Sequence, residues 1–193
     1  PPGETLRRPP PVSGRRPGAG GRESSPERAG TRGRRPLRHR ARAEGSTILA
    51  DLALEPGGYA VVTLHRPSNV DQPDVLAGVM RALEEISTEL PVVFPAHPRT
   101  TKNLTAMGRF PGSMQSQRVR VIEPLGYLDF IKLMSAAAIV LTDSGGIQEE
   151  TTVLRVPCLT LRENTERPIT ISQGTNRLVG CTFEKILAAY GEV

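Results

Sequence analysis

The sequence predicts an α/β fold, a doubly wound parallel sheet of the Rossmann-like kind, over residues 46–193, preceded by a disordered tail over residues 1–45. Three observations lead there. Short apolar runs rich in Val, Ile and Leu are continuous rather than alternating, as strands covered on both faces require. These runs alternate with segments of helical spacing at roughly 20–30-residue intervals, which means right-handed βαβ units. The polar clusters fall just after the strands, on the edge where open α/β sheets bind their ligands.

STILADLAL (46–54) puts Ile48, Leu52 and Leu54 at helical spacing, and Pro56-Gly57-Gly58 stops it. YAVVTL (59–64) is the first strand. Asp71 is placed to cap a helix through VLAGVMRALEEI, with Val75, Val79 and Leu83 on one buried face. PVVFPA (91–96) is a strand, a short helix follows near 100–108, and VRVIEP (119–124) is a strand. YLDFIKLMSAA (127–137) is a helix, AIVLTD (138–143) a strand, IQEETTVL (147–154) a helix and VPCLTL (156–161) a strand. NRLVG (176–180) adds one short strand and FEKILAAY (183–190) a closing helix.

Charge divides the chain in the same place. Twelve arginines against four glutamates give residues 1–45 a net charge of +8, which leaves −3 on residues 46–193 out of +5 overall. The high pI of 9.8 therefore belongs to the tail, and bulk charge argues against a nucleic-acid-binding domain. The tail has too little apolar material to offset its ordering entropy. As a nucleic-acid arm it lacks aromatic residues to stack on bases, so a solvated tail is favoured. Because residue 1 is Pro and the tail's residues have GC-rich codons, a misassigned start, with genuine protein from about Ser46, is a third reading.

No apolar run approaches the roughly 18–20 residues of a membrane span. The N-terminus has no apolar core of a signal peptide, and eight Pro with eight Gly in 45 residues would break a transit-peptide helix. Two cysteines form neither a disulfide framework nor a zinc site, and Cys158, inside VPCLTL, reads as a buried thiol. A soluble cytoplasmic protein is expected, without membrane or nucleic-acid partners.

Five clusters carry the chemistry. His65-Arg66-Pro67-Ser68-Asn69, His97-Pro98-Arg99, Glu123-Pro124-Leu125, Asp143-Ser144-Gly145-Gly146 and the segment Arg162 to Arg167 follow successive strands. In TDSGGIQEE, Gly145 and Gly146 allow a ligand close to the backbone, and the helix N-terminus offers free N–H groups to an anion. Ser144 adds a hydroxyl, and Glu150, about one turn on, can accept from a ribose diol. The alternative is a tight turn with Ser144 as helix cap. His65 and Arg66 suit a diphosphate: Arg66 is always charged, and His65 can exchange a proton. Arg162, Glu166 and Arg167 form a charged set that is either part of the site or a solvated ion-pair loop. GxGxxG and GxxxxGK[ST] loops are absent from the sequence.

VTLHRPSNVD, FPAHPRT, EPLGYLDF, LTDSGGIQEE, VPCLTLRENTERP and GTNRLVG together resemble the C-terminal half of the non-hydrolysing UDP-N-acetylglucosamine 2-epimerases, over about residues 46–190. The resemblance implies one half of a GT-B-type fold, with the nucleotide sugar between two Rossmann-like domains. It implies interconversion of UDP-N-acetylglucosamine and UDP-N-acetylmannosamine for polysaccharide biosynthesis, by elimination and re-addition of UDP, with no cofactor, nicotinamide or metal. By motif, His65 is the catalytic histidine, Ser144, Gly145 and Gly146 hold the diphosphate, Glu150 the ribose, Phe130 lies by the uracil, and Arg167 is the cation of the TERP loop. The arginine and histidine matching Arg66 and His97 contact an allosteric UDP-N-acetylglucosamine in bacterial members, and a homodimer is implied. The family's N-terminal domain, with the acidic residues for the carbon 2 proton, has no counterpart in residues 1–45. The chain alone is therefore expected to bind UDP and be inactive. The alternative is a stand-alone or decayed UDP-binding module, and a related GT-B glycosyltransferase is disfavoured by SGGIQEE and TERP.

Overall fold

The computed structural model describes residues 34–108 and 119–193. In chain order the elements are α1 (Arg34–Ala43), α2 (Ile48–Asp51), β1 (Ala60–Thr63), α3 (Pro67–Val70), α4 (Pro73–Ile86), β2 (Val92–Pro95), α5 (Pro98–Ala106), β3 (Val119–Ile122), α6 (Tyr127–Ser135), β4 (Ile139–Thr142), α7 (Gly145–Leu154), β5 (Cys158–Thr160), α8 (Ile169–Ser172), β6 (Asn176–Leu178) and α9 (Phe183–Tyr190). The six strands form one sheet in the order β3-β2-β1-β4-β5-β6, every pair parallel. That is the doubly wound arrangement the sequence predicts, with its topological switch point between β1 and β4.

The pleat of each strand sends alternate residues to opposite faces. Ala60, Val62, Val92, Phe94, Ile139, Leu141 and Leu159 pack with Leu76, Val79, Met80 and Leu83 of α4 and Ile186 of α9. Val61, Val93 and Val140 face the other way, onto Ile131, Leu133 and Met134 of α6 and Leu154 of α7. Both faces are covered, so strands as short as four residues need apolar side chains throughout. Cys158 is buried as expected, and burial pushes its thiol pKa up to about 11.

Three local expectations are corrected. Residues 34–43, placed in a disordered tail, form α1, which packs on α6 and α7 and buries Ala43. This stretch has no Gly and its one Pro lies in the first turn, and Arg, Leu and Ala are strong helix formers; averaging over 45 residues obscured it. The remainder of the expected tail, residues 1–33, lies outside the described residues. Asp71 does not cap the long helix: it ends the short turn α3 and accepts from the Arg99 guanidinium, while Pro73 opens α4 after Gln72. The helix expected over 46–54 is helical only at Ile48–Asp51, because the backbone turns left-handed at Ala53, φ 49°. Ser46 fixes this segment from the other side, its hydroxyl donating to Asp129 Oδ1 at 2.6 Å.

Candidate active site

The pairing of β1 with β4 builds the site. Thr63 lies opposite Thr142, so the residues that follow, Leu64-His65-Arg66 and Asp143-Ser144, leave the sheet side by side at the switch point. Asp143 is completely buried. Its carboxylate accepts from the backbone N–H of His65 (3.2 Å to each oxygen) and of Arg66 (2.9 Å), and from Asn69 Nδ2 (3.1 Å). The His65 ring completes the set with Nδ1 2.9 Å from Asp143 Oδ1, while 54% of the His65 side chain stays exposed. The hydrogen bond to Asp143 raises the His65 pKa above its ordinary value, with the charge of Asp143 adding to it and burial and Arg66 opposing it.

Ser144 occupies the position before α7, but its hydroxyl makes no capping bond to the helix. That weakens the alternative in which Ser144 serves as a helix cap. Gly145 and Gly146 form the first turn of α7. A Cβ built on either would meet nothing closer than 3.8 Å, Glu166 Oε2 at Gly145 and Ser144 Oγ at Gly146. Neither glycine is therefore demanded by the surrounding protein. Small residues here leave the α7 N-terminus, with its free N–H groups, bare.

The β5 loop faces this turn. Arg162, only 7% exposed, donates to both oxygens of Glu166 at 2.9 and 2.7 Å and to Asn164 Oδ1 at 3.0 Å. The Arg162 bonds hold the Glu166 carboxyl down to a pKa of about 2. Arg66 turns toward the same place: its Nε donates to the Asp143 carbonyl at 3.1 Å and its Nη2 lies 3.6 Å from Glu166. Arg167 lies against α7, with Nε 2.6 Å from Glu149 Oε1. Beneath the loop is a buried polar network. Thr165 donates to Gln148 Oε1 at 2.6 Å, Asn176 donates to Gln148 Oε1 at 3.4 Å and to Thr170 at 3.2 Å, and Thr160 donates to Asn176 at 2.5 Å.

Glu150 stands on α7, half-buried, with the Tyr127 hydroxyl donating to Oε1 at 3.3 Å and Oε2 without a partner. Burial raises its pKa. Phe130 lies on the neighbouring α6, partly buried against the core. His97 is set apart at the start of α5, where its Nδ1 accepts from the Arg99 backbone N–H at 3.4 Å.

Thus the fold brings His65, Arg66, Ser144, Gly145, Gly146 and the Arg162–Arg167 loop to one edge, with Glu150 and Phe130 on the helices beside it. Sequence reasoning did not single out Asp143 as a site residue in its own right, nor Asn69 and Gln148. For Asp143 and Asn69 the only signal was membership of a cluster at a strand end, which does not tell which member turns inward, and Gln148 lies within a helical run. Among the described residues no group of three or more His, Cys, Asp or Glu could hold a metal ion, and no helix is long and apolar enough to cross a membrane.

Known proteins share this fold. The chain is 44% identical over 133 residues to UDP-N-acetylglucosamine 2-epimerase of Methanocaldococcus jannaschii, a match spanning 68% of this chain and 36% of the relative. It is 40% identical over 131 residues to a UDP-2,3-diacetamido-2,3-dideoxy-D-glucuronate 2-epimerase of Pseudomonas aeruginosa, over 67% of this chain and 35% of the relative. The M. jannaschii UDP-GlcNAc 2-epimerase solved in complex with UDP-GlcNAc and UDP superposes with a TM-score of 0.76 at 38% identity, covering 84% of this chain and 46% of that one. The Neisseria meningitidis enzyme bound to UDP-GlcNAc gives 0.68 at 28% identity, covering 81% and 43%. The chain thus spans about a third of the length of the curated relatives it matches. The sequence model of the UDP-N-acetylglucosamine 2-epimerases matches residues 35–193, α1 included, and this chain belongs to that family.

Proposed function

We propose that residues 34–193 form the UDP-binding half of an enzyme that interconverts UDP-N-acetylglucosamine and UDP-N-acetylmannosamine. The observation that carries this reading is the pairing, at the switch point, of an unencumbered α7 N-terminus with an outward-facing histidine backed by a buried carboxylate. A diphosphate fits there. The N–H groups of Gly145 and Gly146 and the Ser144 hydroxyl donate to it, and the His65 imidazolium lies beside it. Glu150, on α7 beside the diphosphate position, accepts from the ribose hydroxyls. Phe130 packs by the uracil and Arg167 supplies a further cation.

In the forward step a base removes the carbon 2 proton, a double bond forms between carbons 1 and 2, and the bond from carbon 1 to the phosphate oxygen breaks. Its electron pair leaves with UDP. Charge builds on that oxygen, and donors already in place stabilise the transition state without reorganising. Re-addition of UDP with proton return to the opposite face gives the epimer. Asp143 is engaged with His65 and Glu166 with Arg162, and Glu150 is given to the ribose, so the carbon 2 base is assigned to an opposing domain. Arg66 and His97 are the contacts for a second, regulatory UDP-N-acetylglucosamine, and the enzyme is a homodimer. A stand-alone UDP-binding module is the second reading, favoured by that same engagement of the carboxylates.

Calorimetry with UDP, CDP and inorganic phosphate tests the nucleotide site. UDP is expected to bind weakly and in preference to the other two, because one wall of the cleft leaves the sugar end solvated. Equal binding of all three, or none at millimolar ligand, would sink the assignment.

A further inference from the structure

We propose that Asp143, steadied by Asn69, is the positioning residue for His65: it holds the ring with Nδ1 inward as a donor, so that Nε2 is the nitrogen presented to the site. The inference deepens the function proposed above and takes from it only the role of His65 beside the diphosphate.

The geometry around Asp143 points one way. Every group that reaches its carboxylate is an N–H: two backbone amides, the Asn69 amide and the His65 ring. An ionised carboxylate accepts at about four lone-pair sites and donates nothing. A completely buried carboxylate is tolerable only when so satisfied, and at 2.9 Å its partner nitrogen on the ring must carry the proton. Asn69 is itself oriented: Nδ2 also donates to the Leu161 carbonyl at 3.0 Å, and its Oδ1 accepts from the Cys181 thiol at 3.2 Å. The loop after β1 is therefore wrapped around one side chain from the end of β4. A carboxylate just beyond β4 thus holds a ring just beyond β1, as the partner of a catalytic or metal-bound histidine does elsewhere.

The neighbouring charges are Arg66, beside His65 in the chain, and Arg162 with Glu166 from the loop after β5. Arg66 disfavours the imidazolium, and the bond to Asp143 outweighs it. In the neutral ring Nε2 is a bare acceptor, and after protonation it is a donor aimed at the departing phosphate oxygen.

The chain has three histidines, so ring ¹⁵N chemical shifts can be followed by NMR on the whole 193-residue chain, with His65 assigned by its loss in His65→Gln. The neutral His65 ring is expected as the Nδ1–H tautomer, and its pKa above the ordinary histidine value. In Asp143→Asn, which keeps the shape, the pKa is expected to fall by about one unit or more and the tautomer preference to vanish. Asn69→Ala should move both in the same direction by less. A wild-type ring in the Nε2–H form would overturn the proposal, whether or not the variants fold. So would a folded Asp143→Asn protein with unchanged pKa and tautomer. UDP calorimetry on the same samples separates the two ideas: absence of binding would remove the function proposed above and leave the tautomer result to decide this one.

Discussion

Single residues fix the charged loop more firmly than their composition suggests. Gly174 shows how: a Cβ there would overlap the Thr170 carbonyl oxygen and lie 2.5 Å from Thr152 Oγ1 and 2.8 Å from its methyl. Helix α7, the turn α8 and the start of β6 meet at this point, and Thr152 is already committed, donating to the Gln148 carbonyl at 2.8 Å. Gly174→Ala is therefore expected to destabilise by about 1–3 kcal/mol, the usual range for overpacking, measured by urea unfolding. The same substitution at Gly146, where the nearest atom is a movable hydroxyl at 3.8 Å, should cost little stability. A Gly174→Ala midpoint equal to that of the parent would show that the three segments do not close on one another as described.

Among the elements, α1 changes the boundary of the folded unit. Its end is held by Ala43 in the core, by the edge of the His39 ring against Tyr127 with centroids 5.3 Å apart, and by the Ser46–Asp129 bond. An aromatic edge contact contributes about 0.5–1.5 kcal/mol beyond its area, so removal of α1 should cost about 1–2 kcal/mol. At roughly 2–4 °C per kcal/mol for a domain of this size, deletion of residues 1–45 is expected to lower Tm by about 2–8 °C. Deletion of residues 1–33, whose only large apolar side chains are Leu6 and Val12, is expected to leave it unchanged. Equal Tm values for the two deletions would show that α1 does not dock. Tyr127 also donates to Glu150, so the deletion reaches the ribose side of the proposed site as well as the stability of the fold.

At the scale of the whole molecule, the relevant fact is that the chain spans about a third of its curated relatives. If the carbon 2 base comes from an opposing domain, the chain by itself should hold UDP-N-acetylglucosamine without turning it over. Addition of a family N-terminal domain, fused or in trans, is then expected to restore interconversion, followed by proton NMR as solvent deuterium enters carbon 2. His65→Ala should lower the restored rate about 10²-fold or more, the usual worth of a positioned acid or base. Lys102→Ala, on the exposed face of α5, should leave it within twofold. Turnover by the unassisted chain would mean that these residues include their own base, and the division of labour between domains would fall.

Most of the fold was legible because its signals are local. Strand or helix is decided by periodicity within a few residues, as at FEKILAAY, whose range matches α9 residue for residue. The candidate edge was legible too, since polar clusters follow five of the six strands by chain connectivity alone. The sequence by itself thus determined the alternation of strands and helices over residues 59–190 and the family. Which clusters touch is a different matter, decided by strand order. His65 and Asp143 are 78 residues apart, and they meet because β1 and β4 pair at the switch point. Tertiary structure alone decided that Asp143 turns inward onto His65, that Arg66 turns to Glu166, and that α1 docks on α6 and α7. The physical reason is common to all three: each depends on partners distant in sequence, and burial against those partners outweighs the local preferences that a sequence displays.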